Sequence, residues 1–331
     1  MRTVILVLRD APRTPIRNGI PAFGTYAGRC ETTDLALRER GVSRIREYVS
    51  EKRWQWFAAF DNQVAVGGAL VDAGFFGTAF LWVFDRDAGD MLVDADVVVP
   101  SPLLSVTNRP TTSLIARISL PGYRLQMTGK NGQFLVEGRF AGVDLTLEFA
   151  VDDRRAITAV CPVPERAGGV NVTQKEPGIE VSGTITAGDD AERVNSLDGV
   201  GFLDYSHGLL GRETVWEWAF ASGTAADGTP VAFNLVDGFN DGKENAVWIG
   251  EDVFPVDEAT ISCGTHGDIW EITTACGQVA AELTVEGSRR KDVDVTLVRS
   301  CYQQPLGCWR GTVAGRDASG VGVAEKHVTR W

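Results

Sequence analysis

The stretch GFLDYSHGLLGRETVWEW, residues 201–218, places Asp204, Tyr205 and His207 within four positions and follows them with Trp216 and Trp218. A carboxyl group beside an apolar wall has its pKa raised and stays protonated near neutrality, so an Asp and a His next to indoles are the ingredients of general acid catalysis. Trp216 and Trp218 are two apart, so on a strand both rings project from one face and Glu217 from the other. A paired indole face binds apolar groups and attracts cations. We therefore expect Asp204 as the acid, Tyr205 or His207 as the group that orients it, and the two tryptophans as shapers of the substrate. Gly201, Gly208 and Gly211 flank the trio and predict a loop or a strand entry rather than mid-strand. The plainer alternative is that Asp204 accepts backbone N–H bonds in a turn, His207 caps a strand end and the indoles fill a core.

Other residues are candidates for the same cavity. NDGKENAVW offers Glu244 as a second carboxylate, with an exposed turn charge as the alternative, together with Asn245 and Trp248. VAFNLV adds Asn234, and the ending GVAEKHVTRW puts Glu325 and His327 on one strand face. KRWQWF carries Trp54 and Trp56, again two apart, and GFFGTAFLWVFDRD carries Phe80 and Trp82. The substrate-binding set is thus Trp216, Trp218, Trp82, Phe80, Asn234, Glu244, Asn245, Trp248, Trp56, Glu325 and His327. The three histidines, His207, His266 and His327, lack a local ligand spacing, and no G-x-S-x-G or phosphate-loop motif is present. Neither a metal nor a cofactor is expected.

The elements that must position these groups are strands. VDLTLEFAV alternates Val143, Leu145, Leu147, Phe149 and Val151 with Asp144, Thr146 and Glu148, the pattern of a half-buried strand. RWQWFAAF, VWEWAFAS, IWEITT, AAELTVEG and DVDVTLVRS repeat it between turn signals such as GKNG and ADG. One short or broken helix is expected over 32–52, where Leu35, Val42, Ile45 and Val49 recur at helical spacing after Thr33. Many short antiparallel strands avoid open edges by closing into barrels or stacking, and a Pro-, Gly- and charge-rich stretch over 162–200 divides the chain. The expected fold is all-β, with two barrel-like domains over 1–195 and 196–331.

A net charge of -12, without a basic patch, argues against nucleic acid as a partner. The apolar run Val4 to Leu8 is too short for a signal-peptide core or a membrane span, and the six cysteines include no C-x-x-C pair. They read as reduced, mostly buried thiols in a cytoplasmic protein that is not stably inserted in membranes, a monomer or homodimer.

The segments NGIPAFGTYAG, KRWQWFAAFDNQVAVGGALVDAGFFGTAFLWVFDR, GFLDYSHGLLGRETVWEWAFASG, FNDGKENAVW and GVAEKHVTRW resemble, in order, the motifs of the domain of unknown function 2804. More distantly, GFLDYSHG followed by WEWAFASGTAADGTPVAF is similar to the pattern of the carotenoid 1,2-hydratase superfamily. That resemblance implies two lipocalin-like β domains and a ligand pocket at or near their interface, with Asp204 at the hydratases' acidic position. The superfamily includes hydratases of isoprenoid double bonds and natural-product cyclases of the Diels-Alder type. Tyr205, Ser206, His207 and Gly208 depart from the His and Asn-Trp-Gly that follow the aspartate in those hydratases. The expected function is a cofactor-independent reaction, by cyclisation, hydration or pericyclic chemistry, on a small apolar unsaturated terpenoid or polyketide. A non-catalytic carrier or sensor of an apolar ligand is the alternative.

Overall fold

The computed structural model describes residues 8–35, 50–110, 114–166, 168–187, 194–295 and 298–330. Its architecture is all-β, as the period-two pattern requires, in two antiparallel barrel-like sheets. The Val143–Ala150 strand alternates buried and exposed residues without exception. Most of the segment expected to be helical, 36–49, lies outside the described residues. Glu51 and Lys52, at its end, instead open the Glu51–Phe60 strand. The helical residues among those described are Ser50 and two short 3-10 turns, Ser101–Leu103 and Asn240–Gly242.

The first sheet runs from Asp90–Pro100 through Phe76–Asp85, Val64–Asp72, Glu51–Phe60, Val194–Leu209 and Gly169–Thr186 to Val143–Ala150, Gln133–Phe140, Tyr123–Lys130, Leu114–Leu120 and Leu104–Val106. The second sheet is ordered Asp252–Pro255, Ala246–Ile249, Pro230–Asp237, Glu213–Ala225, Arg316–Arg330, Val298–Val313, Val279–Val295, Ile269–Thr274 and Ala259–Cys263. The chain passes from one sheet to the other after Leu209, so Asp204, Tyr205 and His207 stand in the first sheet. They lie within a paired strand, not on a loop or at its entry: Val194–Leu209 is bonded to Glu51–Phe60 on one side and to Gly169–Thr186 on the other. Of the flanking glycines read as loop signals, Gly201 and Gly208 are accommodated inside this ladder, where a Cβ on Gly201 would fall 2.5 Å from the Phe149 ring, and Gly211 lies in the connection to the second sheet.

Each sheet encloses its own apolar core, the first around Leu81, Leu125, Leu147 and Phe149, the second around Phe233, Trp270 and Trp309. A third apolar layer lies between the sheets and contains Trp56, Trp82, Phe84, Phe202, Trp218, Phe220 and Leu306. Burial of each such side chain stabilises by about 1.5–3 kcal/mol, so this layer fixes how the two sheets meet. A bulge at Pro177/Ile179 brings Gly178, at φ +69°, against the second sheet, where a Cβ would lie 2.9 Å from Ser222 Oγ. Charges clasp the rim. Arg86 forms two 2.8 Å bonds with Glu286, and Arg289 pairs with Asp94 and Asp96.

The cysteines depart from expectation in burial. Cys30 and Cys161 are buried, whereas Cys263, Cys276, Cys301 and Cys308 are exposed, because all four fall on the second sheet's outward-facing or turn positions. No helix among the described residues is long and apolar enough to cross a membrane.

Candidate active site

Register across the strands assembles the site. In antiparallel sheets, residues directly opposite one another share a face. Across the first sheet Lys175 is paired with Asp204, Asp204 with Trp56, Trp56 with Ala69 and Ala69 with Phe80, one row spanning five strands. In the second sheet Tyr302 is paired with His327 and His327 with Trp216, while Glu325 is paired with Trp218 and Trp218 with Val236. All of these side chains line a partly enclosed cavity of about 110 Å³ between the sheets, which Trp54, Ser206, Phe239 and Glu244 complete.

Asp204 is buried, with Oδ1 2.8 Å from Lys175 Nζ. The Trp54 indole donates to Oδ2 at 3.4 Å, and the Ser206 hydroxyl donates to Oδ1 at 3.5 Å. Burial raises the Asp204 pKa, with the Lys175 ammonium opposing that rise. Lys175 also lies 3.1 Å from Glu244 Oε2 and sits 5.0 Å above the Trp218 ring. Burial pulls the lysine down, but the Asp204 and Glu244 carboxylates outweigh it and hold Lys175 above its ordinary value. The cation is thus fixed between two carboxylates.

Glu325 faces the same cavity in different company. Its Oε1 accepts from Trp216 Nε1 and its Oε2 from Gln304 Nε2, each at 2.7 Å, and both donors are neutral. Burial pushes its carboxyl up to about 7, against the hydrogen bonds that favour the anion. His327 Nδ1 lies 3.8 Å away, while its Nε2 is 2.8 Å from Ser300 Oγ and its ring 4.4 Å from that of Trp216. Burial and then Arg289 push the His327 imidazole down to about 3, so it is neutral. Tyr302 is pushed well above its ordinary value, by burial first and Glu325 next.

Of the residues expected at the site, Asp204, Trp216, Trp218, Phe80, Glu244, Trp56, Glu325 and His327 come together on the cavity wall. Glu244 is buried rather than an exposed turn charge, with Oε1 accepting from Asn240 at 2.6 Å. Asn234 and Asn245 stand behind it. Asn234 accepts from Trp218 Nε1 at 2.8 Å and donates to the Glu244 carbonyl at 2.9 Å. Asn245 accepts from the Val236 N–H and donates to the Asp257 carbonyl, pinning the turn that carries Glu244. Trp82 and Trp248 do not line the cavity. Trp82 is fully buried over Gly67, where any Cβ would fall 2.4 Å from the indole, and Trp248 donates to the Arg155 carbonyl in a separate apolar cluster.

Tyr205 and His207 point away from Asp204, because alternate residues of a strand face opposite sides. Tyr205 donates to the Thr107 carbonyl at 3.0 Å and lies 2.8 Å from Thr33 Oγ1. His207 is bracketed by Thr33 Oγ1 at 3.0 Å and Glu51 Oε1 at 2.9 Å, and burial lowers its pKa. Neither orients Asp204; the group in that position is Lys175. Nothing local in VTQKEPG marks that lysine, whose only signal is its parity on a strand that must be registered against residue 204. Trp56, in the cavity wall, has a buried indole N–H without an acceptor among the described residues.

The fold and site define a two-sheet, lipocalin-like protein with a carboxyl-bearing aromatic pocket where the sheets meet. Residues 19–331 match the model of the domain of unknown function DUF2804, and the chain belongs to that family. No curated protein matches it. Among solved structures it is similar to a candidate AttH from Nitrosomonas europaea, at 13% identity and a TM-score of 0.55, over 83% of this chain and 92% of that one. It is also similar to kievitone hydratase from Nectria haematococca (11%, TM-score 0.51, 92% and 97%) and to CghA with Sch210972 (10%, TM-score 0.51, 86% and 88%). At these identities the likeness shows the shared fold.

Proposed function

We propose that the protein is a cofactor-independent enzyme that hydrates or cyclises a small, apolar, unsaturated metabolite, a terpenoid or polyketide, by protonating it in the pocket between the sheets. The observation that carries this reading is a pair of buried carboxyl groups on one aromatic cavity, Asp204 held by an ammonium and Glu325 held by neutral donors. Two carboxyls in different surroundings divide into an acid and a base. Glu325, near 7, gives a proton to one alkene carbon; the indoles flank the cation that develops at the other. In hydration, water attacks that cation and its released proton goes to a carboxylate, restoring the acid. In cyclisation, a second double bond attacks instead, and a carboxylate removes the final proton. The acid role expected for Asp204 passes here to Glu325, because Lys175 favours the anion of Asp204. Kievitone hydratase, whose name gives it a hydration, supports this class of reaction through a shared fold.

The test is a panel of terpenoid and polyketide alkenes incubated in D2O and in 18O-water and read by mass spectrometry. Turnover with solvent deuterium in the product is expected, together with solvent oxygen if the product is hydrated. Glu325→Gln should cut the rate by roughly 10²–10⁴, the range for a general acid, with ligand binding retained. An unchanged rate in Glu325→Gln would remove the acid from that residue. Binding of panel members without turnover would favour the carrier or sensor, which needs the aromatic lining but no titrating carboxyl.

A further inference from the structure

The pocket wall is unbalanced in charge. Asp204, Glu244 and Glu325 face it with carboxyl groups, and the cation in the lining is Lys175. In many apolar pockets a buried lysine would anchor a ligand carboxylate, but here Nζ is already held 2.8 Å from Asp204 and 3.1 Å from Glu244. His327 adds no charge, since burial keeps its imidazole neutral. Arg289 lies behind the aromatic wall, 4.1 Å from the centroid of Phe80 and 5.1 Å from that of Tyr302, and is paired with Asp94 and Asp96. A ligand anion would therefore meet Glu325 without a partner. A ligand cation would meet the rings of Trp54, Trp56 and Trp216, with Glu325 beside them. Lys175 already occupies such a position over Trp218, so the lining accepts a positive charge on an indole face.

We propose that the pocket takes an apolar ligand that carries a permanent positive charge, an alkyl- or arylammonium ion, in preference to a neutral hydrocarbon or a carboxylate. This rests on the reading of the pocket as the ligand site and concerns binding alone: a bound cation holds Glu325 as its anion, so a ligand of this class is not one that Glu325 protonates. Ionisation of Glu325 is linked to occupancy, because a cation beside its carboxyl favours the anion. The charged and titratable groups facing Glu325 are Lys175, Asp204 and Glu244 across the cavity, His327 on its own strand, and Tyr302 with Arg289 behind it.

Benzyltrimethylammonium, its neutral isostere neopentylbenzene and the anion 3-phenylpropanoate test this by calorimetry and by quenching of tryptophan fluorescence. Benzyltrimethylammonium is expected to bind at least about tenfold tighter than neopentylbenzene at pH 8, and 3-phenylpropanoate weakest. The affinity for the ammonium should fall several-fold between pH 8 and pH 6, as Glu325 takes up its proton, and Glu325→Gln should remove most of that fall. Asp204→Asn, which keeps Glu325 but removes a carboxylate that raises it, should retain the fall and shift it to lower pH. Equal affinity for the two isosteres, tighter binding of 3-phenylpropanoate, or no detectable binding of the ammonium overturns the proposal. Each of those results leaves the proton-transfer reading intact, since the isotope experiment needs no charged substrate. If Glu325→Gln does not fold, the isostere ratio in the wild-type protein at pH 8 decides alone.

Discussion

The Val194–Leu209 strand carries polar side chains on both faces, and the two faces differ in what those side chains have left to offer. Tyr205 and His207, turned into the first barrel, are held by Thr33, Thr107 and Glu51, so their hydrogen-bonding capacity is taken up in fastening the segment around Thr33 to the sheet. Asp204 and Ser206, turned toward the second sheet, border an open cavity and share it with Glu325. The contrast extends to the two cavity carboxyls. Asp204 and Glu325 are both buried, yet one lies against an ammonium and the other against an indole and an amide. Burial alone raises a carboxyl pKa, and the nearest charge decides how much of the rise survives. A buried acid on an aromatic wall is therefore a statement about partners as much as about depth.

The largest effect is expected from removing the cation. Lys175→Met would leave Asp204 and Glu244 buried without a counter-charge, and we expect a loss of about 3–5 kcal/mol in urea denaturation at pH 8. A double variant, Lys175→Met with Asp204→Asn, should recover part of that loss. A change below about 1 kcal/mol in the single variant would mean that the two carboxylates do not depend on the lysine.

A smaller effect separates Glu325 from His327 by pH. The Glu325 carboxyl rises from 4.5 to about 7 on folding, so the stability it contributes is complete below pH 4.5 and is lost as pH climbs toward 7, about 3 kcal/mol in all. The His327 imidazole falls from 6.5 to about 3, so its contribution is complete above pH 6.5 and is lost as pH falls toward 3. Between pH 4.5 and 6.5 the two slopes oppose each other. His327→Gln should therefore make stability fall more steeply with rising pH than in the wild type, and Glu325→Gln should make it rise more steeply. Parallel stability curves for the wild type and both variants would show that neither group titrates as its surroundings require.

The smallest expected effects lie on the other face of the strand. Tyr205→Phe removes one buried hydroxyl and should cost about 1 kcal/mol by denaturation. The pH midpoint of Glu325, followed by infrared difference against Glu325→Gln, should not move, because the sheet backbone separates the two faces. A shifted midpoint in Tyr205→Phe would collapse the distinction between the faces.

Much of this molecule is legible in its amino-acid sequence. Alternation such as that of Val143 to Val151 specifies strands, because a half-buried sheet must bury every second side chain. The tryptophan pairs at 54/56 and 216/218 and the Glu325/His327 pair announce faces by their spacing, and all six residues line the cavity. Motif order likewise carries the family. Misplaced are the groups judged by nearness along the chain. Tyr205 and His207 are close to Asp204 in sequence and on the wrong side of its strand, and Trp82 is shut over Gly67.

Local periodicity sets the strands, the parity of each side chain and the aromatic stock of the pocket. Long-range pairing makes Lys175, twenty-nine positions before Asp204, its partner, and brings Glu325 to face both from another sheet. Parity tells which residues share a face of one strand. Register and sheet packing, set by hydrogen-bond ladders and the apolar layer between the sheets, choose which faces meet, and no short window of sequence contains them.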